Sequence, residues 1–495
     1  MSYQQLHDMY AEIGDLEHAE AMLSWDEAVM MPAGGGERRA NSLATLAAQV
    51  HRRKSDPRTE AMLTEALADQ SLDQWQSANL REMKRSWQAA VAVPESLVIA
   101  LSKARSICEQ SWRIKRAEND WKAMCPLLDE VLRLTREKAA CLAQSSGDSL
   151  YDVLIDQYQP GVNQEQIDPI FEDLRDYLPG FLTRVLETQQ VPLPINLQVA
   201  EHRQKSLALA LMGKIGFAFE RGRLDTSHHP FCGGDPDDTR ITTRYNEANF
   251  LDSMMAVLHE TGHALYEQGL PNAWRGQPVG QALGMAMHES QSLLMEMQVC
   301  RGDAFMEFAA PIIQQELGVK KSDLGVFSAP NLLIHSTGVE RGYIRVDADE
   351  VTYPLHVILR YELEKALVSG DLKVAELPAA WNEKMTAYLG LSTQGNDKDG
   401  CMQDVHWYAG LFGYFQTYSL GAVAAAQIYA SAVKQDIQIV PGIRCGNFRP
   451  LLGWLRKNIH GMGRLVLGME LLESITGMEL NTSAFRAHLE TRYLR

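Results

Sequence analysis

Cysteine is scarce in this sequence: seven residues in 495, odd in number, scattered from Cys108 to Cys445 and without one C-x-x-C pair. That pattern excludes a disulfide framework and a thiolate zinc site, so any metal has to be held by histidine and carboxylate. Positive charge is also short. Lys and Arg number 47 against 63 Asp and Glu, a net charge of −16, which repels nucleic-acid backbones and anionic membrane surfaces and argues against either as a partner. No apolar run reaches the roughly 18 residues of a membrane helix; even Ala422 to Val433 is short and broken by Gln427. The N-terminus has no basic region followed by an apolar run, so no secretory signal is expected and the protein is assigned to the cytoplasm. No Ser/Pro/Gly-rich linker and no repeat of roughly 20 to 50 residues divides the chain. Gly34-Gly35-Gly36 is not a phosphate-binding loop, because Glu37-Arg38-Arg39-Ala40 follows it without the required spacing or Lys-Ser/Thr pair.

What is present reads as one large helical unit. Hydrophobic residues make up 45% and charged ones 22%, the balance of a compact globular protein. Apolar residues recur at steps of three and four, as in Tyr3, Leu6, Tyr10 and Ile13, and again in Ile167, Ile170, Phe171, Leu174 and Leu178, which predicts amphipathic helices. Pro32-Ala33-Gly34-Gly35-Gly36 and Val191-Pro192-Leu193-Pro194 punctuate them. The expected fold is mainly α, residues 1–495 forming a single domain of two lobes. One β element is expected at Thr239 to Tyr245, where β-branched residues cluster just ahead of the most informative segment.

That segment is His259-Glu260-Thr261-Gly262-His263. Met254, Val257, Leu258 and Leu265 at helical spacing predict a buried helix around it, which puts His259 and His263 one turn apart on one face, where both imidazoles reach one ion. Helix geometry turns Glu260 by about 100° from His259, towards water held at that ion instead of the ion itself. H-E-x-x-H is expected by chance roughly 0.03 times in a chain of this composition. A third ligand is supplied by a predicted helix from Gln281 to Cys300, in which Glu289 follows His263 by 26 residues. Two histidines and one glutamate leave a position open for water, the design of a catalytic site and not of a closed structural one. His288 reads equally as a hydrogen-bond partner to a ligand or as a surface histidine. The arrangement supports peptide hydrolysis, with Glu260 accepting the proton of the attacking water and passing it to the leaving amine. Zinc (Zn2+) is the expected metal, although these ligands also suit cobalt (Co2+).

Six motifs then follow one another along the chain: His229-Pro230-Phe231, Asp238-Thr239-Arg240-Ile241-Thr242, the H-E-x-x-H segment, His288-Glu289-Ser290-Gln291, Ile344-Arg345-Val346-Asp347-Ala348-Asp349 and Gly400-Cys401-Met402-Gln403-Asp404-Val405-His406-Trp407. In these, and in Met31-Pro32 and the Gly413 to Gly421 segment, the sequence resembles the M32 metallocarboxypeptidases of the carboxypeptidase Taq type over nearly its whole length. It departs from them at Gln416, where proline is expected, and at Ala422, where asparagine is expected, which bears on the shape of that loop and not on the metal site.

The resemblance implies a two-lobed helical clamshell around a long central cleft, a homodimer, and removal of single C-terminal residues from peptides with broad specificity. It points to Arg345 as the receptor of the substrate's free carboxylate, a task that suits a guanidinium fork; the alternative is an ion pair with Asp347 or Asp349. It also places His406 in the cleft as a donor to substrate, and Tyr418 in a tyrosine loop as candidate oxyanion donor, against a plain core aromatic. His229 reads either as a cleft residue or as part of a rigid His-Pro turn. Asp404 and Asp349 are expected to orient neighbours, and Asp238 with Arg240 to form a structural ion pair. The competing readings are an oligopeptidase or dipeptidyl carboxypeptidase of the same architecture, and an inactive peptide-binding scaffold.

Overall fold

Tyr3, Leu6, Tyr10 and Ile13 form the buried stripe of the first helix, Ser2–Val29, in the computed structural model, which describes residues 2–227 and 230–494. Twenty α-helices and three short strands make up most of the regular structure of those residues, so the mainly helical expectation is met. Local chemistry starts several of the helices. Asp73 with Gln76, and Asn163 with Gln166, form reciprocal capping boxes ahead of Gln74–Ala92 and Gln164–Thr188, satisfying backbone N–H groups that the first turn leaves free. Ile167, Ile170, Phe171, Leu174 and Leu178 all face inward from the second of these. No helix among the described residues is long and apolar enough to cross a membrane.

One continuous apolar core runs through most of the molecule, and the N-terminal helices keep a small one of their own around Leu6, Tyr10, Ile13, Leu63 and Met83. Polar contacts tie this unit to the body. The Asn79 amide donates to Gln277 Oε1 at 2.9 Å and accepts from the Val279 N–H at 3.1 Å, and the Gln277 amide donates to the His7 carbonyl at 2.9 Å.

The expected β element is there, but it is larger than predicted. Strands β1 (Gly222–Thr226), β2 (Phe231–Asp235) and β3 (Asp238–Thr243) form a sheet in the order β1-β3-β2, β1 parallel and β2 antiparallel to β3. Asp235 pairs with Asp238 across a two-residue turn. The first two strands gave no sequence signal because they are short and rich in glycine and polar residues, with no alternation. Leu224 and Ile241 pack under the sheet against Val257 and Ala264 of the next helix. On its other face Arg240 pairs with Asp238 at 2.6 Å, as expected, and its guanidinium lies 4.5 Å from the Trp25 ring.

That next helix, Phe250–Glu267, carries the H-E-x-x-H segment, with Met254, Val257, Leu258 and Leu265 buried as the periodicity predicts. The helix predicted from Gln281 to Cys300 differs in two ways. It begins at Met285, and from Leu294 to Cys300 it widens into a π-helix. A π segment shifts the angular register of the side chains it carries, which no apolar periodicity reveals.

Candidate metal centre

His259 Nε2, His263 Nε2 and a Glu289 carboxylate oxygen are brought together by the pairing of two helices. One ligand atom from each of the three residues lies within 4.8 Å of the other two, and His263 Nε2 is 3.5 Å from Glu289 Oε2. Close helix approach makes this geometry, and glycine allows it. A Cβ on Gly262 would stand 2.6 Å from the Gln291 carbonyl oxygen and 2.6 Å from Ser292 Cα. A third helix, Gln416–Gln435, closes on Glu289 from the other side, where a Cβ on Gly421 would meet the Glu289 Cβ and Cγ at 2.8 Å.

The far nitrogen of each histidine is held. His259 Nδ1–H donates to Glu296 Oε2 at 2.9 Å, and Arg301 fixes the other oxygen of that carboxylate at 2.6 Å. Burial alone would raise the Glu296 carboxyl, but Arg301 and His259 outweigh it and pull it down to about 2. Glu267 Oε1 accepts from His288 Nε2–H at 2.8 Å, which leaves His288 Nδ1 as the acceptor for His263 Nδ1–H at 2.6 Å. This tautomer chain frees the His263 Nε2 lone pair towards Glu289. Of the two readings for His288, the structure therefore supports partner to a ligand. The donor set of two imidazole lone pairs and one carboxylate, oriented from behind, fits a divalent cation.

Glu260 is 7% exposed, and burial, opposed by His259 and assisted by the charge of Glu289, pushes its carboxyl up to about 7. For His259 burial favours the neutral form, but the hydrogen bond to Glu296 and the charges of Glu289 and Glu260 prevail and raise it to about 10. At neutral pH the metal-free site thus holds a proton that a cation must displace. Metal affinity is expected to fall as pH drops below about 10, by up to tenfold per unit for one displaced proton; titrations of the metal-free protein from pH 6 to 9 check the slope, and a flat profile rules it out. His288→Gln, which breaks the link between Glu267 and His263, is expected to weaken metal binding about 10- to 100-fold, read by competition with a chelator.

A second group of side chains lies across the tyrosines Tyr353 and Tyr418. Arg345 does not pair with Asp347 or Asp349. Its Nη2 and Nε donate to Asp404 Oδ1 at 2.8 and 3.1 Å, and Nη1 donates to the Tyr353 hydroxyl at 2.7 Å. Asp349 instead accepts the N–H groups of Val351 and Thr352 and orients the start of the following helix. His406 Nε2 lies 3.1 Å from the Tyr418 hydroxyl. Burial, with Arg345 and Arg360 adding to it against Asp404, drives His406 down to about 3, so it stays neutral. Burial also holds the Tyr418 phenol protonated. His229 lies outside the described residues.

Several site residues have no sequence motif of their own. Glu267 could have been found, since it lies four residues after His263 on the same helix face. Glu296, Arg301, Tyr353 and Arg360 could not, because tertiary packing and the π-helix bring them in.

The profile of the carboxypeptidase Taq (M32) metallopeptidases matches residues 5–493. Thermostable carboxypeptidase 1 of Thermus thermophilus is 38% identical, covering 99% of this chain and 98% of its own, and carboxypeptidase 1 of Bacillus subtilis is 31% identical, covering 99% and 97%. Among solved structures, metallocarboxypeptidase 1 of Trypanosoma cruzi superposes with a TM-score of 0.97 at 39% identity, covering 100% of this chain and 99% of its own. The M32 carboxypeptidase of Deinococcus radiodurans gives 0.95 at 33% identity, covering 99% and 98%.

Proposed function

Since the chain belongs to the carboxypeptidase Taq (M32) family and is a metallocarboxypeptidase, we propose that it removes single C-terminal residues from peptides of varied sequence, with Glu260 as general base and then general acid. The observation that carries this reading is Glu260 buried beside the His259, His263 and Glu289 cluster. Zinc, or cobalt in its place, would be held by those three residues and would supply Lewis acidity at the scissile carbonyl and an acidified water.

The chain's own groups do the rest. Glu260 accepts the proton of the attacking water and returns it to the leaving amine. Neutral His406 lies with Nε2 3.1 Å from the Tyr418 hydroxyl and positions it, and Tyr418, which keeps its proton, is the donor to the carbonyl oxygen as it gains charge. Arg345, its Nε side committed to Asp404, receives the substrate's terminal carboxylate at its Nη1 edge with the Tyr353 hydroxyl. The whole chain acts as one catalytic domain of two lobes, as a homodimer. Its seven cysteines are all free thiols, which supports a reducing cytoplasmic setting.

The test compares a peptide with its C-terminal amide. Amidation is expected to lower kcat/KM about 100-fold, and mass spectrometry of the free peptide is expected to show a ladder losing one residue at a time. Equal rates for acid and amide would refute the carboxyl-terminal reading; loss of two residues at a time would favour a dipeptidyl carboxypeptidase.

A further inference from the structure

Two guanidinium groups share one carboxylate in the wall behind Tyr353 and Tyr418. Arg345 donates to Asp404 Oδ1 through Nη2 at 2.8 Å and reaches Oδ2 only through Nε at 3.3 Å, while Arg360 places Nε 2.7 Å and Nη2 2.6 Å from Oδ2. Arg345 is 4% exposed and Arg360 0%. The other titratable groups facing the cluster are Tyr353, Tyr408, Tyr418, His356 and His406. Burial keeps the phenols protonated and both imidazoles neutral. Among the described residues no second acid pairs with either arginine.

Two positive charges against one negative leave a single positive charge uncompensated and out of water. That arrangement is costly, and aromatic faces offset only part of it: the Arg360 guanidinium lies 4.5 Å from the Trp381 ring and that of Arg345 4.8 Å from the Tyr418 ring. Anchoring the Arg345 loop would need only one arginine on Asp404. The second changes the charge count, which is what an anionic substrate end would meet.

We infer that Arg360 is a positioning residue that sets the charge of the carboxylate-recognising wall: by occupying Asp404 Oδ2 it stops Asp404 from neutralising Arg345, so that the terminal carboxylate of the peptide completes the count. The inference rests on the reading of Arg345 given under Proposed function. Arg360 touches no substrate; its effect passes through Asp404.

The experiment reads the ratio of kcat/KM for a peptide to that for its C-terminal amide, with kcat and KM separated. Arg360→Gln, which keeps an N–H donor for Asp404 but no charge, is expected to lower the ratio about 10- to 100-fold through KM for the free acid. Arg360→Lys restores the charge and most of the ratio. Asp404→Asn leaves two guanidiniums with a neutral acceptor and moves the ratio upward, a sign that loss of mere structural support would not give. The inference is overturned by a wild-type ratio in Arg360→Gln, by Lys being as poor as Gln, or by a fall in Asp404→Asn. Where Arg360→Gln does not fold, the sign for Asp404→Asn decides. If the unaltered enzyme shows no preference for the free acid, the Arg345 reading fails; if the preference stands and Arg360→Gln keeps it, only this inference does.

Discussion

Glu260→Gln is expected to lower kcat about 100- to 10,000-fold, the span of a lost general acid–base, while metal content stays stoichiometric. Glutamine fills the same space and leaves His259, His263 and Glu289 untouched, but it cannot take a proton from water. The observed position explains the size of the effect. Glu260 is buried next to the ligand cluster, where burial raises its carboxyl to about 7 in the metal-free protein, and the proposed role asks that one group both to accept and to return a proton.

The substitution also has a stability signature of definite sign. A carboxyl raised from 4.5 to about 7 on folding contributes nothing below 4.5 and destabilises the metal-free protein progressively as pH rises through 7, by roughly 3 kcal/mol. Metal-free Glu260→Gln is therefore expected to gain Tm over the unaltered protein between pH 4.5 and 8. Peptide release, metal analysis and melting across that range test both halves. An active Gln variant would refute the proton-transfer role, and a Tm difference that does not change with pH would refute the buried, raised carboxyl.

The second large effect is expected from Gly262→Ala. The added methyl group would stand 2.6 Å from backbone atoms of Gln291 and Ser292 and 3.0 Å from Met295 Cβ. Backbone on both sides cannot rotate away, so the two helices have to separate. Overpacking of this kind costs about 1–3 kcal/mol. The functional loss follows from the same movement, because Glu289 rides on the displaced helix while His259 and His263 stay on the other. Metal affinity is expected to fall about 10- to 100-fold, measured by chelator competition alongside Tm. Gly421→Ala presses on the Glu289 side chain itself and is expected to lower metal affinity with a smaller change in Tm. A Gly262→Ala protein with unaltered Tm and metal affinity would show that helix spacing does not set the ligand geometry.

Helical periodicity is a local property, which is why so much of the metal centre was legible. The 3.6-residue repeat alone places His259 and His263 on one face, turns Glu260 aside and buries Met254, Val257, Leu258 and Leu265, and all of this is found in the structure. Glu289 needed one further step, the packing of a second helix, and its place 26 residues after His263 on a predicted helix was enough to find it. The strand before the H-E-x-x-H helix was visible in its β-branched run, but its two partners were not.

Residues that act through long-range pairing were not legible in the same way. Arg345 had two acids within four residues, and an ion pair with one of them was the alternative to its reading as a carboxylate receptor. The structure pairs it with Asp404 instead, 59 residues away in sequence, and gives that carboxylate a second arginine. A charged side chain finds its partner according to which loops the core brings together, and sequence distance carries little information about that.

By itself, then, the sequence determined what short-range geometry and residue chemistry can determine: a helical chain, two histidines and a glutamate that suit a metal, and Glu260 beside them. Only the tertiary structure decided how each imidazole is oriented from behind, through Glu296 for His259 and through His288 and Glu267 for His263. It also decided how near the ligand helices stand and how many charges meet at Asp404. Those depend on close packing between distant segments, where a missing Cβ or one shared carboxylate changes the outcome and no local pattern records it.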